Sequence, residues 1–146
     1  MNQKRFLLWL VLLSWMFLIF HLSNQPAVIS AETSKNVSQQ ILEIVQENPT
    51  PQAVRSFDSF LRNSAHFGLF LILGLLTYPT FLVQGYSKTM TKSVWFGIFY
   101  AWTDEVHQIF IEGRAFQLRD LGLDIVGFVL GCSLIFFVMS WLNRRK

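Results

Sequence analysis

The chain has 146 residues, of which 52% are hydrophobic and only 14% charged, with fifteen Phe and five Trp; an ordinary soluble protein carries about 25% charged residues. That balance excludes a disordered tail, and a single cysteine excludes a disulfide-stapled secreted module. The net charge is +3, but the basic residues stand in short groups beside apolar runs rather than along a stripe, which points to membrane topology and not to nucleic acid as a partner.

The first apolar run is Phe6 to Leu22, behind Lys4-Arg5 and broken only by Ser14 and His21; as a helix it spans roughly 25 Å, enough to cross a bilayer core. A signal peptide shares its basic start, and Ala31 imitates the small residue of a cleavage site. The run is longer than a usual signal core and Ile29 fits poorly at the minus-three position, so retention is expected.

Ser23 to Ser64 follows, too short and too poor in large apolar residues to fold alone. Val37, Ile41, Ile44 and Val45 recur at helical spacing after Ser34, and Val54, Phe57, Phe60 and Leu61 do so after Thr50-Pro51, an N-cap with Pro at the first helical position. Two short amphipathic helices on the outer surface are predicted, with Asn48-Pro49-Thr50-Pro51 as the turn between them. The remaining apolar runs are Ala65 to Gly85, Ser93 to Ile111 with a polar insert, and Leu121 to Leu142 before Asn143-Arg144-Arg145-Lys146. The expected fold is an all-α integral membrane protein, a single domain over 1–146 with four transmembrane helices at about 6–22, 65–85, 93–111 and 121–142 and an extracytoplasmic loop at 23–64.

Charge orients that path. Lys4, Arg5, Lys88, Lys92, Arg144, Arg145 and Lys146 fall on one side with no acid among them, so both termini are expected in the cytoplasm. The polar groups then gather at the other, outer end: Ser23-Asn24-Gln25, His66, Asp104-Glu105-Val106-His107-Gln108, Asp120 and Asp124. On a helix Asp104, His107 and Gln108 share a face, Glu105 is turned away by about 100°, and Asp120 and Asp124 are one turn apart. An ionised carboxylate in hydrocarbon costs about 2.5–3.5 kcal/mol or more, so these groups should face the bundle interior or a wet cleft, with Arg62, Arg114 and Arg119 as counter-ions.

Such a cluster has a structural reading, in which the ion pairs only fix helix register, and a functional one, in which an acid-base or metal site opens to the outer leaflet. His66, Asp104, His107, Asp120 and Asp124 have the donor types for a divalent metal, but no tight motif such as His-Glu-x-x-His is present and no cofactor is expected. No serine stands in a strained Gly-flanked turn and no Gly-rich phosphate loop is present. Gly127 and Gly131 form a GxxxG pair suited to close helix contact, beside which Cys132 reads as an inert small hydrophobe.

The run Tyr100-Ala101-Trp102-Thr103-Asp104-Glu105-Val106-His107-Gln108-Ile109-Phe110-Ile111-Glu112-Gly113-Arg114, with Leu118-Arg119-Asp120 and Asp124-Ile125-Val126-Gly127, resembles the VanZ-like family of bacterial membrane proteins. Ser23-Asn24-Gln25-Pro26 looks like that family's Ser-Ser-Gln element, and Arg62-Asn63-Ser64-Ala65-His66-Phe67 like its Arg-Lys-x-x-His-Phe element. The resemblance implies four membrane helices and a family named for a member associated with reduced susceptibility to the lipoglycopeptide teicoplanin, its biochemical activity unsettled. It carries Gln25, His66, Asp104, Glu105, His107, Gln108, Arg114, Asp120 and Asp124 over as the matching polar positions. This chain departs from the pattern at Asn24 for serine, Asn63 for lysine, Leu69-Phe70 for Glu-Tyr and Glu112 for proline; an ion pair at the mouth of the site is then lost and a different ligand or activity is implied.

Three functions fit these residues. The leading one is binding of an amphiphile, such as a lipid-linked wall precursor or a lipoglycopeptide, with Gln25, Arg62, Gln108, Arg114, Arg119, Asp120 and Asp124 as ligand-binding residues and antibiotic protection as the consequence. The second is an enzyme that modifies an envelope lipid, with His66, Asp104, Glu105 and His107 as catalytic residues, a histidine as general base and Asp104 orienting it. The third is a structural partner of a larger membrane complex through the Gly127-Gly131 face; a thin bundle also leaves room for a homodimer.

Overall fold

A computed structural model of the protein describes residues 2–46 and 48–145, so Lys146 of the basic tail lies outside the described residues. Five helices follow one another: α1 (Gln3–Ser23), α2 (Ala27–Val45), α3 (Pro51–Val83), α4 (Thr89–Gln108) and α5 (Leu118–Asn143). Three of them are long and apolar enough to cross a membrane, namely α1, α3 and α5, with mean hydropathies of 2.2, 1.8 and 2.4. The predicted third span, α4, has 20 residues and thus the needed length of about 30 Å. Its apolar content is diluted by Lys92 near one end and Asp104, Glu105, His107 and Gln108 at the other, so length and composition alone mark three spans and not four.

The segment between α1 and the apolar part of α3 differs from expectation in two ways. First, α2 begins at Ala27 rather than after Ser34. Pro26 in extended backbone starts the helix, and the free N–H of Ala27 donates to the carbonyl of Glu112 at 3.0 Å, so one of the orphan donors of a helix start is met by the distant loop. Ser34 sits inside the helix and donates its hydroxyl to Asp58 on α3. Second, the helix begun at Thr50-Pro51 does not stop at Ser64 but runs on to Val83, 33 residues in all. Its N-cap is as predicted, with Thr50 Oγ1 accepting from Ala53 N at 3.2 Å. No glycine or proline falls between Gln52 and Phe67; the change from polar to apolar composition near Ser64 is a change of surroundings, not of backbone.

The long α3 is the axis of the fold and touches each of the other four helices. It runs beside α5 in the same direction, and glycines set the distance. A Cβ on Gly127 would overlap the backbone oxygen of Phe67, one on Gly131 that of Leu71, and one on Gly74 that of Phe128. The GxxxG face is therefore spent on α3 inside the chain and is not free for another subunit. Cys132 is fully buried in the same seam, its thiol donating to the carbonyl of Gly74 at 3.4 Å. Leu12 and Ile19 of α1, Phe70 and Leu73 of α3, Ala101 of α4 and Phe128 of α5 complete the core.

Outside that core the pattern of a soluble protein is inverted. Phe6, Leu13 and Phe17 on α1 and Phe137, Val138 and Trp141 on α5 are exposed, while Asp104, Glu105, Gln108 and Asp124 are buried. A continuous apolar exterior of this extent is what lipid accommodates and water does not. On α2, Ser38 is fully buried against the fold while Val37, Ile41, Ile44 and Val45 remain exposed, which leaves that helix an uncovered apolar edge.

Candidate functional site

The directions of the helices bring the end of α1, the middle of α3, the end of α4 and the start of α5 together at one pole of the bundle, away from Lys4, Arg5, Lys92, Arg144 and Arg145 at the ends of α1, α4 and α5. Four carboxylates enter it. Asp104 and Glu105 come from α4 and Asp120 and Asp124 from α5, with side chains screened so fully that Glu105 and Asp124 are 0% exposed.

Each acid has its own support. Asp104 Oδ2 accepts from Ser23 Oγ at 2.8 Å and from Gln108 Nε2 at 3.4 Å. Glu105 Oε2 accepts from the backbone N–H of Gln117 at 2.8 Å, which anchors the start of α5, and Oε1 accepts from Gln108 Nε2 at 3.3 Å. His66 bridges the two aspartates of α5: Nδ1 lies 3.2 Å from Asp124 Oδ1 and Nε2 lies 3.8 Å from Asp120 Oδ2. Asp124 Oδ2 is buried without a hydrogen-bond partner among the described residues.

Two expectations about α4 change. Glu105 does not turn away, because α4 packs against α5, α3 and the end of α1 and a wide arc of its surface is enclosed. His107 instead leans outward, its ring stacked on Phe20 with centroids 4.8 Å apart and Nε2 3.3 Å from Asn24 Oδ1. Among the described residues it joins no acid, and the aspartate that holds a histidine is Asp124 on His66, not Asp104.

The arginines also behave differently from the predicted counter-ions. Among the described residues the salt bridges are those of His66, and no arginine forms one. Arg114 donates from Nε to the backbone carbonyl of Gln25 at 2.8 Å and from Nη1 to Gln108 Oε1 at 3.3 Å. Gly113, with φ +72°, makes the turn that aims it. Burial and the neighbouring Arg62 guanidinium pull the Arg114 pKa below its ordinary value, yet an arginine stays charged at any physiological pH. Arg62 is half-buried and Arg119 exposed.

Two clefts meet at His66. The first, a cavity of about 300 Å³, has an apolar wall of Ile19, Leu22, Leu61, Leu69 and Phe70 and a polar wall of Ser23, Gln25, Arg62, His66, Asp104 and Arg114. Its outer side is α2, through Ser30, Thr33, Ser34 and Val37. The second, about 270 Å³, is polar and lined by Asp58, Ser59, Arg62, Asn63, His66, Gln117, Arg119 and Asp120. Asn63 and Leu69 thus line different clefts, so the lysine and glutamate of the family pattern would not meet as one ion pair at a common mouth.

Of the residues singled out from sequence, Gln25, Arg62, His66, Asp104, Glu105, Gln108, Arg114, Asp120 and Asp124 converge, Arg119 borders the polar cleft, and His107 stands apart. Ser30, Thr33 and Ser34 are additions that the sequence does not single out. Their signal is a spacing of three and four residues in line with Val37, legible only once α2 is begun at Ala27.

The family model described as VanZ/LLP1 matches residues 8–140. The chain belongs to the VanZ-like family. None of the curated proteins matches it, and neither does any solved structure. The VanZ-like match spans all the elements that build the polar pole, from α1 to most of α5. Within it, the four residues of the Ser-Asn-Gln-Pro element play four different parts. Ser23 holds Asp104, Asn24 meets His107, Gln25 receives Arg114 and Pro26 starts α2.

Proposed function

We propose that this VanZ-like protein is a multi-pass protein of the bacterial cytoplasmic membrane that binds an anionic amphiphile at the outer leaflet. In this reading α4 crosses with α1, α3 and α5, and both termini are cytoplasmic. Lys4, Arg5, Lys88, Lys92, Arg144 and Arg145 support that orientation, since all lie at the helix ends opposite the acidic pole.

The observation that carries the reading is the 300 Å³ cavity with one apolar and one polar wall, in which the guanidinium groups of Arg62 and Arg114 have no carboxylate partner among the described residues. A guanidinium without an anion beside an apolar trough is matched by a phosphate or carboxylate head carrying a lipid tail. A lipid-linked wall precursor or a lipoglycopeptide has that chemistry, and holding either would alter antibiotic access to the wall, with lowered teicoplanin susceptibility as the outcome. Gln25, Gln108, Asp120 and Asp124 set the polar wall or brace it, and Arg119 extends it at the surface.

An enzyme that modifies such a lipid is the second reading, favoured by one contact. His66 borders both clefts and is held by Asp124 at 3.2 Å, as a general base needs an orienting carboxylate. Lipid analysis separates the two, in cells with the wild-type chain, with Asp104→Asn and with neither, beside a wall-antibiotic susceptibility test. Altered susceptibility with unchanged lipids supports binding; a lipid species that appears or vanishes with the intact carboxylate means turnover. No change in either removes both.

A further inference from the structure

The acidic pole holds more negative charge than its neighbours answer. Asp104, Glu105, Asp120 and Asp124 are together against one imidazole, and no arginine pairs with any of them. A structural ion-pair network would have used Arg62 or Arg114, both within the same cavity wall. Buried carboxylates left this way must be protonated or must share a cation.

We infer that the pole is a binding site for one oxygen-preferring divalent cation, of the Mn²⁺ or Mg²⁺ kind, held by Asp104, Glu105 and Asp124. Each of the three offers an oxygen lying within 4.8 Å of the others, and all three residues are buried. Independent of that grouping, Asp124 Oδ2 is enclosed with no hydrogen-bond partner among the described residues. An oxygen left bare in a fully buried carboxylate costs about 1–3 kcal/mol or more unless something positive reaches it.

Orientation of the ligands is already in place. Ser23 and Gln108 fix Asp104, Gln108 and the N–H of Gln117 fix Glu105, and His66 fixes Asp124. Hydrogen bonds to ligating carboxylates set ligand geometry in metal sites. His66, Glu105 and Asp120 make a second grouping that shares Glu105, so the imidazole and Asp120 stand beside the cation as further donors. The donor set is oxygen-rich with one nitrogen and no sulfur, because Cys132 is bonded to Gly74 in the helix seam; this favours Mn²⁺ or Mg²⁺ over thiolate-seeking metals. Asp104 lines the 300 Å³ cavity, which supplies the path of entry.

The cation site stands apart from the amphiphile reading, and its test needs no lipid. The full chain is purified in detergent, stripped with a chelator and titrated with Mn²⁺, with free Mn²⁺ followed by electron paramagnetic resonance and the Tm followed in parallel with Mn²⁺, Mg²⁺, Ca²⁺ and Zn²⁺. The expected result is one Mn²⁺ per chain, a Tm raised by Mn²⁺ and Mg²⁺, and loss of binding in Glu105→Gln and Asp124→Asn beyond the roughly 10- to 100-fold that outer partners cost. In the stripped state Glu105→Gln should melt above stripped wild type, since it removes a repelling charge without breaking an ion pair. If either fails to insert, Asp120→Asn, at the rim of the pole, takes its place with a smaller loss. Wild type that binds no Mn²⁺ at millimolar concentration, or variants that bind as wild type does, would overturn it.

Discussion

Arg114 and Gln25, 89 residues apart in sequence, are joined by a hydrogen bond from the guanidinium Nε to the backbone carbonyl at 2.8 Å. The bond ties the loop after α4 to the chain as it leaves α1, and Ala27 N to Glu112 O at 3.0 Å doubles the tie. Because the acceptor is a backbone oxygen, Arg114 is positioned without its charge being neutralised. The guanidinium stays available to the cavity that it lines.

Arg114→Ala should lose about 1.5–3 kcal/mol, the usual worth of a hydrogen bond from a charged group. Arg114→Lys should lose most of the same amount, because one ammonium cannot serve both the Gln25 carbonyl and Gln108 Oε1 as a rigid fork does. Unfolding titrations in mixed micelles measure both. A lysine variant as stable as wild type would mean that charge alone, and not the fork, holds the loop.

His66 and His107 stand on neighbouring helices yet have opposite surroundings. His66→Ala leaves Asp124 and Asp120 facing each other with no imidazole between them, and uncovering a buried charge typically costs about 3–5 kcal/mol. His107→Ala removes an exposed 3.3 Å contact and a stacked ring, together about 0.5–1.5 kcal/mol. The same micelle titration compares them, and under the proposed binding role a change in antibiotic susceptibility should follow His66 and not His107. Equal losses for the two would contradict the placement of His107 outside the acidic pole.

Hydropathy makes the helices legible in the sequence, and polar residues that an apolar segment should not contain make the site legible. Together they locate α1, the apolar half of α3 and α5 nearly to their ends, and the Thr50 cap to the residue, since caps and apolar runs are local signals. The continuity of α3 is hidden because the polarity change near Ser64 mimics an element boundary while the backbone has no breaker there. The exchange of Glu105 for His107 is hidden for another reason. Helical spacing gives angles around α4, but how wide an arc is enclosed depends on α5, α3 and α1, which are separate segments of the chain. Arginine pairing is hidden because long side chains reach many acceptors, and here backbone and amide oxygens take Arg114.

The α3 to α5 seam gives two glycines opposite expectations. At Gly131 an added Cβ would meet the Leu71 carbonyl, a backbone group that cannot swing aside as a side chain can. Gly131→Ala should therefore cost about 1–3 kcal/mol or more and pry the two helices apart. At Gly122, earlier on the same helix, nothing lies within 4 Å of the new atom, and Gly122→Ala should stabilise by up to about 1 kcal/mol through helix propensity. Thermal unfolding of the pair checks both signs at once. A neutral Gly131→Ala would mean that the seam is looser than its carbonyl contacts imply.

The outer wall of the cavity is the least secured part of the fold. Of the other helices, α2 packs on α3, and the side-chain bond joining the two is Ser34 Oγ to Asp58. Since Ser30, Thr33, Ser34 and Val37 close the cavity, whatever loosens α2 should open it. Asp58→Ala removes the acceptor, whereas Asp58→Asn keeps a carbonyl oxygen for the serine. Hydrogen exchange in detergent should then show faster exchange across residues 27–45 in Asp58→Ala, a weaker effect in Asp58→Asn, and unchanged protection along α5, where the glycine seam is untouched. Faster exchange spread evenly over all helices would mean that Asp58 supports the whole bundle rather than latching one wall of the site.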